Sequence, residues 1–220
     1  MKDFKIDNQG TTTLFRNPAL EKLTRTHFAT PVIFYLLLAA GFIIYALVVV
    51  KLHVLPLLLL YLTGVFSFSF VEYLIHRYIF HFNATTEKQL ELQYHIHGVH
   101  HEFPRDKDRL VMPPILSALI AVLFFTIFSL TMGKFTYAFF PGFISGYSFY
   151  LLIHYAVHAL KPPRNFLKFW WKHHSLHHYS SIHTAYSVSM PLWDHLFGTM
   201  PKKKKNYNSP VNEKLPDSIA

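Results

Sequence analysis

The 220-residue chain contains no cysteine, which excludes disulfides, thiolate metal sites and cysteine nucleophiles together. Charge is also scarce. Only 15% of the residues are Asp, Glu, Lys or Arg, against about 25% in soluble globular domains, while 51% are hydrophobic. The few charges are unbalanced, with 12 acidic residues against 21 basic ones and a formal charge of +9. A basic balance is one footprint of nucleic-acid binding. Here the basic residues flank apolar runs and form no separate basic face, so nucleic acid is not an expected partner. No Ser–His–Asp arrangement and no H-E-x-x-H stretch is visible, which removes two common signs of hydrolysis. No internal repeat of fixed period is present either.

What the chain does have is apolar length. A helix crossing a bilayer needs about 20 residues, and four runs reach that length: 31–50, 54–72, 113–132 and 135–160. The first resembles a signal peptide only superficially. It starts late, lacks a small-residue cleavage site and is followed at once by a second span, so it is expected to be retained. Of the 21 Lys and Arg residues, all but Lys51 and Lys134 fall in residues 1–30, 73–112 and 161–220. That excess assigns those segments, and both termini, to the cytoplasm. The expected fold is all-α: an integral membrane bundle of four transmembrane helices capped by a cytosolic histidine-rich helical region. Three parts follow along the chain. Residues 1–30 form an N-terminal cytosolic or interfacial segment. Residues 31–200 form the membrane-embedded domain, with cytosolic segments 73–112 and 161–200. Residues 201–220 form a disordered basic tail, whose run of four consecutive lysines faces anionic lipid. Within the cytosolic segments, residues 83–101 and 164–183 have helix-forming composition. Phe166, Trp170 and Trp171 suit helices lying at the membrane surface.

The 16 histidines concentrate where apolar spans meet cytosolic segments. His76 and His81 stand five apart in "HRYIFH"; His97, His100 and His101 form H-x2-H-H in "HGVHH". His154 and His158 form H-x3-H in "HYAVH", and His174, His177 and His178 repeat H-x2-H-H in "HSLHH". Residues three and four apart share a helix face. Each H-x2-H-H is therefore expected to project its first and last imidazoles together, with the middle one close beside them. On an ideal helix a spacing of five leaves about 140° between His76 and His81, which implies a helix end there, or two rings serving different ions. A lone histidine on a helix is ordinarily a surface or hydrogen-bonded group. Ten in four helix-compatible clusters point to metal, because ionisable groups near a membrane mark function and neutral imidazole is the commonest metal ligand. Ten ligands favour two ions over one. His27, His53, His95, His173, His183 and His195 lie outside the pattern.

Nitrogen-only sites suit Zn, Cu, Fe or Ni. Zinc has no redox chemistry and would leave hydrolytic or structural roles, whereas two irons at a bilayer surface would suit oxygen chemistry on a lipid chain. The order H-x4-H, H-x2-H-H, H-x3-H, H-x2-H-H resembles the membrane fatty acid hydroxylase and sterol desaturase superfamily. The stretch "HGVHHEFPRDKDRLVMPP", His97 to Pro114, is similar to its fatty acid 2-hydroxylase branch, as is "SVSMPLWDHLFGT", Ser187 to Thr199. The likeness covers about residues 60–200. It implies a dinuclear centre held by His76, His81, His97, His100, His101, His154, His158, His174, His177 and His178. The functional ions are expected to be iron, with zinc found in purified relatives. Dioxygen is the implied cosubstrate. One oxygen atom enters beside the carbonyl of a long acyl chain, in a free fatty acid or a ceramide.

The resemblance also implies a location: the cytoplasmic membrane in a bacterium, the endoplasmic reticulum in a eukaryote. Relatives often carry a fused haem domain with a His-Pro-Gly-Gly stretch, which is not seen here, so a separate cytochrome, ferredoxin or reductase is expected to supply electrons. In "KHHSLHH" the spacing to His177 and His178 favours His174 over His173 as the ligand. Glu72, Glu102, Asp106 and Asp194 are candidates to accept ring N–H groups from the ligands. Arg77, Lys107 and Arg109 are candidates for the substrate headgroup. Two other functions fit less well. A sterol or carotenoid oxygenase or desaturase is disfavoured by "RLVMPP". A divalent-metal transporter is disfavoured because its site would sit near the bilayer midplane.

Overall fold

A computed structural model describes residues 5–201, and these are helical with no strand. The basic tail expected from the sequence lies outside the described residues. Short helix α1 (Pro18–Leu23) is capped by Asn17, whose side chain accepts from the backbone of Ala19 and Leu20. Helices α2 (Ala29–Val48) and α3 (Val54–Ile75) follow, joined by a turn through Lys51, which has φ 57°. On the other side of the sequence α6 (Pro114–Met132) and α7 (Thr136–Ala159) are joined by one tight turn, Gly133–Phe135. Gly133 has φ 54°, a left-handed conformation that glycine adopts without steric penalty. Between the two pairs come α4 (Glu87–Gln93), opened by a Thr86–Gln89 capping box, and α5 (Val99–Glu102). Helices α8 (Lys168–Tyr179) and α9 (Leu192–Leu196) complete the order.

Among the described residues, three helical stretches are long and apolar enough to cross a membrane: Ala29–Val48, Val54–Phe80 and Lys107–Ala159, the last folding back at Gly133. Their outer faces show the large apolar side chains that water would disfavour, Leu130 being 83% exposed. Their inner faces meet on α7, which packs against α2 and α3. Tyr35, Ala39, Phe68, Phe139, Phe140, Phe143 and Ile144 form one buried cluster there. The α3–α7 crossing is close because both helices place glycine at it. A Cβ on Gly64 would stand 2.2 Å from the Phe139 carbonyl oxygen, and one on Gly142 would stand 1.9 Å from that of Tyr61. Small residues at such contacts let helix backbones approach within a membrane.

Two local departures from regular helix matter for the site. After Ile75 the chain widens into one π turn, His76–Phe80, with the His81 N–H bonded to the His76 carbonyl at 3.1 Å. A second π turn, Tyr94–Gly98, joins α4 to α5. The helix expected over 164–183 is shorter, because its ends carry groups that compete for the backbone. The Asn165 side chain accepts from the Leu167 N–H at 3.1 Å, and the N–H groups of Ser180 and Ser181 both turn back onto the Leu176 carbonyl.

The N-terminal segment lies across the short helices and turns between the long apolar pairs. The Asp7 N–H donates to the Glu102 carbonyl at 2.8 Å, the Thr11 hydroxyl to Asp106 at 2.5 Å, and the Tyr179 hydroxyl to Asn8 at 3.1 Å. Arg109, its side chain 4% exposed, pairs with Glu21. Breaking a buried pair from one side leaves an uncompensated charge. Arg109→Gln is therefore expected to loosen residues 5–28, measured as faster limited proteolysis in that segment.

Candidate metal centre

The ten clustered histidines are all buried and form two groups of five, each with its potential ligand atoms within 4.8 Å of one another. His76, His81, His97, His101 and His177 make one site; His100, His154, His158, His174 and His178 make the other. The helical spacings explain most of this. His97/His101, His154/His158 and His174/His178 are each four apart, and each pair enters one site. The middle histidine of each H-x2-H-H points across to the neighbouring site instead: His100 joins the α7 and α8 ligands, and His177 joins those of the π turn and α5. The two segments thus cross-brace the centre, and the His101 and His178 rings stack at 4.2 Å where the sites adjoin.

His76 and His81 serve the same site, which corrects the alternative of two rings for different ions. The reason is the π turn. An i→i+5 hydrogen bond widens the turn and brings residues five apart onto one face. His81 also ends the helix, with φ −108° and ψ 33°.

Ring–ring distances test whether these residues fit a metal. An ion with metal–nitrogen bonds of about 2.0–2.1 Å holds ligands at right angles about 3.0 Å apart and tetrahedral ligands about 3.4 Å apart. In the first site Nε2 of His76 lies 3.0 Å from that of His97, and Nε2 of His101 lies 3.1 Å from His97 and 3.3 Å from His81. Nε2 of His177 lies 3.0 Å from His81 and 3.2 Å from His101. In the second, Nε2 of His154 lies 3.0 Å from His100, and that of His158 lies 2.8 Å from His174.

The outer nitrogens fix which lone pairs face inward. Nδ1–H of His177 donates to the Thr184 carbonyl at 2.8 Å, that of His154 to the Leu110 carbonyl at 2.9 Å, and that of His76 to the Tyr186 carbonyl. Their Nε2 atoms therefore carry lone pairs toward other imidazole nitrogens, an arrangement a cation relieves. Both ring nitrogens of His178 are buried without a hydrogen-bond partner. The donor set, its spacing and these orphaned atoms fit two ions.

Electrostatics agrees. Burial, reinforced by neighbouring imidazoles, pushes the pKa of His97, His100, His101, His174 and His178 well below the ordinary histidine value. Burial lowers His177 to about 4. These rings are neutral at pH 7, as coordination requires. In the unfolded chain the same rings gain protons near pH 6.5, so the unfolded state binds more protons below that value. Stability is then fully present above about pH 6.5 and falls as pH drops toward the folded values. Between pH 7 and pH 5 we expect a lower melting temperature and loss of bound metal, read by thermal unfolding and by metal analysis after gel filtration.

The carboxylates near the clusters accept from backbone N–H groups and other side chains rather than from the clustered rings. Glu72 accepts from Val188 N–H at 2.6 Å and from the Ser189 N–H and hydroxyl. Asp194, fully buried, accepts from the N–H groups of Tyr186 and Ser187, the Thr199 hydroxyl and His173 Nε2. Burial alone would raise its pKa, but hydrogen bonds from His173, Thr199 and Ser187 outweigh it and hold the carboxyl at about 2. Glu102 accepts from the Tyr94 hydroxyl at 2.6 Å, and Asp106 caps the turn that begins at Lys107.

His174 lies in the cluster and His173 on Asp194. Arg77 donates to the Tyr73 hydroxyl at 2.7 Å and stacks over Tyr78; Lys107 is exposed. His95 bonds the Glu91 carbonyl one helical turn back. Sequence reasoning missed the three carbonyls of Leu110, Thr184 and Tyr186, because a backbone acceptor has no side-chain signature. Ala185, at φ 54° between two of them, carries a conformation that disfavours an alanine by about 1–2 kcal/mol.

Known proteins share this architecture. The fatty acid hydroxylase profile matches residues 61–199, which include every clustered histidine. A ceramide very long chain fatty acid hydroxylase of Schizosaccharomyces pombe is 35% identical over 195 residues, covering 86% of this chain and 55% of that protein. A dihydroceramide fatty acyl 2-hydroxylase of Arabidopsis thaliana is 34% identical over 142 residues, covering 64% of this chain and 60% of that one. The chain thus spans little more than half the length of these two relatives. A solved structure of full-length scs7p, with only its hydroxylase domain visible, superposes with a TM-score of 0.81 at 31% identity. That match covers 91% of this chain and 76% of the other. With its histidine constellation inside the matched region, this chain belongs to the fatty acid hydroxylase family.

Proposed function

We propose that this protein is a membrane-bound, dioxygen-dependent hydroxylase acting on the C2 position of long-chain fatty acyl groups, as free acids or as the N-acyl chain of a ceramide. The observation that carries the reading is the pair of buried five-histidine sites in a chain of this family. Two redox-active ions, iron in this reading, supply dioxygen activation when bound. The overall change balances when one oxygen atom enters the C2–H bond and the other leaves as water, with two electrons and two protons consumed.

The chain's own residues gather ten imidazoles, fix the inward nitrogens of His76, His154 and His177 through backbone carbonyls, and bury the centre from bulk water. Electrons come from a separate cytochrome, ferredoxin or reductase in this reading. Helices α6 and α7, of 19 and 24 residues, each suffice for a crossing. With α2 and α3 they make four spans in this reading, and the distribution of Lys and Arg supports a cytoplasmic side for the metal centre and both termini. An apolar cavity of about 230 Å³ between α2, α6 and α7, lined by Phe34, Tyr35, Leu38, Phe42, Val122 and Phe125, offers room for part of an acyl chain between spans. Exposed Lys107 stays available to a substrate headgroup, whereas Arg77 bonds the Tyr73 hydroxyl and Arg109 is engaged by Glu21.

Mass spectrometry of lipids from cells expressing the protein tests this reading, beside a His177→Ala control. The expected result is acyl chains about sixteen mass units heavier, oxygenated at C2 and absent from the control. An unchanged lipid profile together with metal uptake would contradict it and favour a transporter.

A further inference from the structure

The two sites are not held in the same way. Thr184, Ala185 and Tyr186 form a short strap that offers carbonyls to His177 and His76, both ligands of the first site. Asp194 holds this strap from behind. Its Oδ1 accepts from the Tyr186 N–H at 2.8 Å and the Thr199 hydroxyl at 2.6 Å; its Oδ2 accepts from the Ser187 N–H at 2.8 Å and His173 Nε2 at 3.0 Å. The Ala185 N–H is tied to the Thr199 carbonyl at 2.9 Å. Among the described residues the second site takes one backbone tether, from the Leu110 carbonyl to His154, and Nδ1 of His100, His174 and His178 is buried without a partner, as is that of His81 in the first site.

We propose that Asp194, steadied by His173, is a positioning residue for the ion held by His76, His81, His97, His101 and His177, and not for the other. Its carboxylate bonds none of the ten clustered rings. It orients two imidazoles by fixing the backbone they lean on. The inference rests on the cluster binding two ions, and its test separates the two ideas.

Zinc serves as the probe. The unaltered chain should take up two ions, and fewer than two would sink the two-ion reading itself. Asp194→Asn is then placed on two backgrounds, His154→Ala/His158→Ala, which leaves the first site, and His97→Ala/His101→Ala, which leaves the second. Competition with a chelator should show zinc bound about 10–100-fold more weakly on the first background, the usual effect of losing a partner behind a ligand, and unchanged on the second. His173 lies on α8, which also carries His174 and His178. A general loosening of that helix would therefore weaken both sites equally. Equal weakening, or none on the first background, would overturn the assignment. If Asp194→Asn does not fold, Thr199→Val removes one of the carboxylate's four donors and is read by the same rule. A weakening confined to the first site supports the proposal; a shared loss or no loss overturns it.

Discussion

His177→Ala is expected to abolish the proposed C2 hydroxylation and to remove at least one of the two proposed ions. The ring is 0% exposed and its Nε2 stands within 3.2 Å of both His81 and His101. Truncation takes a donor from the first site and leaves the Thr184 carbonyl without its partner. His177 sits on α8 between ligands of the other site, so its loss also removes one of two side chains that cross between the groups. Partners one step further out typically cost about 10–100-fold in affinity or activity, and a ligand should cost more. His95→Ala is the matched control. It removes a ring from the same histidine-rich stretch, but one bonded to the Glu91 carbonyl and outside both groups. Changes away from such features ordinarily stay within about 0.5 kcal/mol, so activity and metal content should be retained. Equal loss in both variants would mean that the grouping of rings is wrong.

Gly142→Leu is expected to be the most damaging change outside the histidines. The Cβ would meet Tyr61 backbone at 1.9 Å, where no side chain can rotate aside, so α3 and α7 must separate. Overpacking costs about 1–3 kcal/mol and at times more. It acts here on the two helices that present His76, His154 and His158. Lower melting temperature in detergent and lower metal content should therefore appear together. Gly41→Leu supplies the contrast. Nothing lies within 4 Å of a Cβ there, and replacing an exposed helical glycine favours the helix by up to about 1 kcal/mol. It should melt no lower than the parent chain.

Much of the grouping of the rings is legible in sequence because the ten histidines are side chains of one type at largely helical spacing. His97/His101, His154/His158 and His174/His178 could be paired by counting. The destinations of His100 and His177 could not, since they depend on how α5, α7 and α8 come together. The His76–His81 pairing needed a π turn, which residue order does not announce. The nearby acids were misleading for a physical reason: proximity in sequence put Glu72 and Asp194 beside the ligands, but each satisfies a cluster of backbone N–H groups that would otherwise be buried without partners. In the sequence Arg109 looks free for a headgroup, because Glu21, 88 residues away, carries no local sign that it will fold back to meet it. The apolar runs located the long helices to within a few residues, while the glycines that set the α3–α7 distance emerge only from the packed pair.

Anomalous X-ray diffraction at the absorption edge of the bound metal, from crystals of the purified protein, would test the paired five-histidine sites most directly. Two peaks per chain are expected, each about 2.0–2.2 Å from nitrogens of a single group: one among His76, His81, His97, His101 and His177, the other among His100, His154, His158, His174 and His178. A single peak shared by both groups, or peaks lying away from these rings, would contradict it.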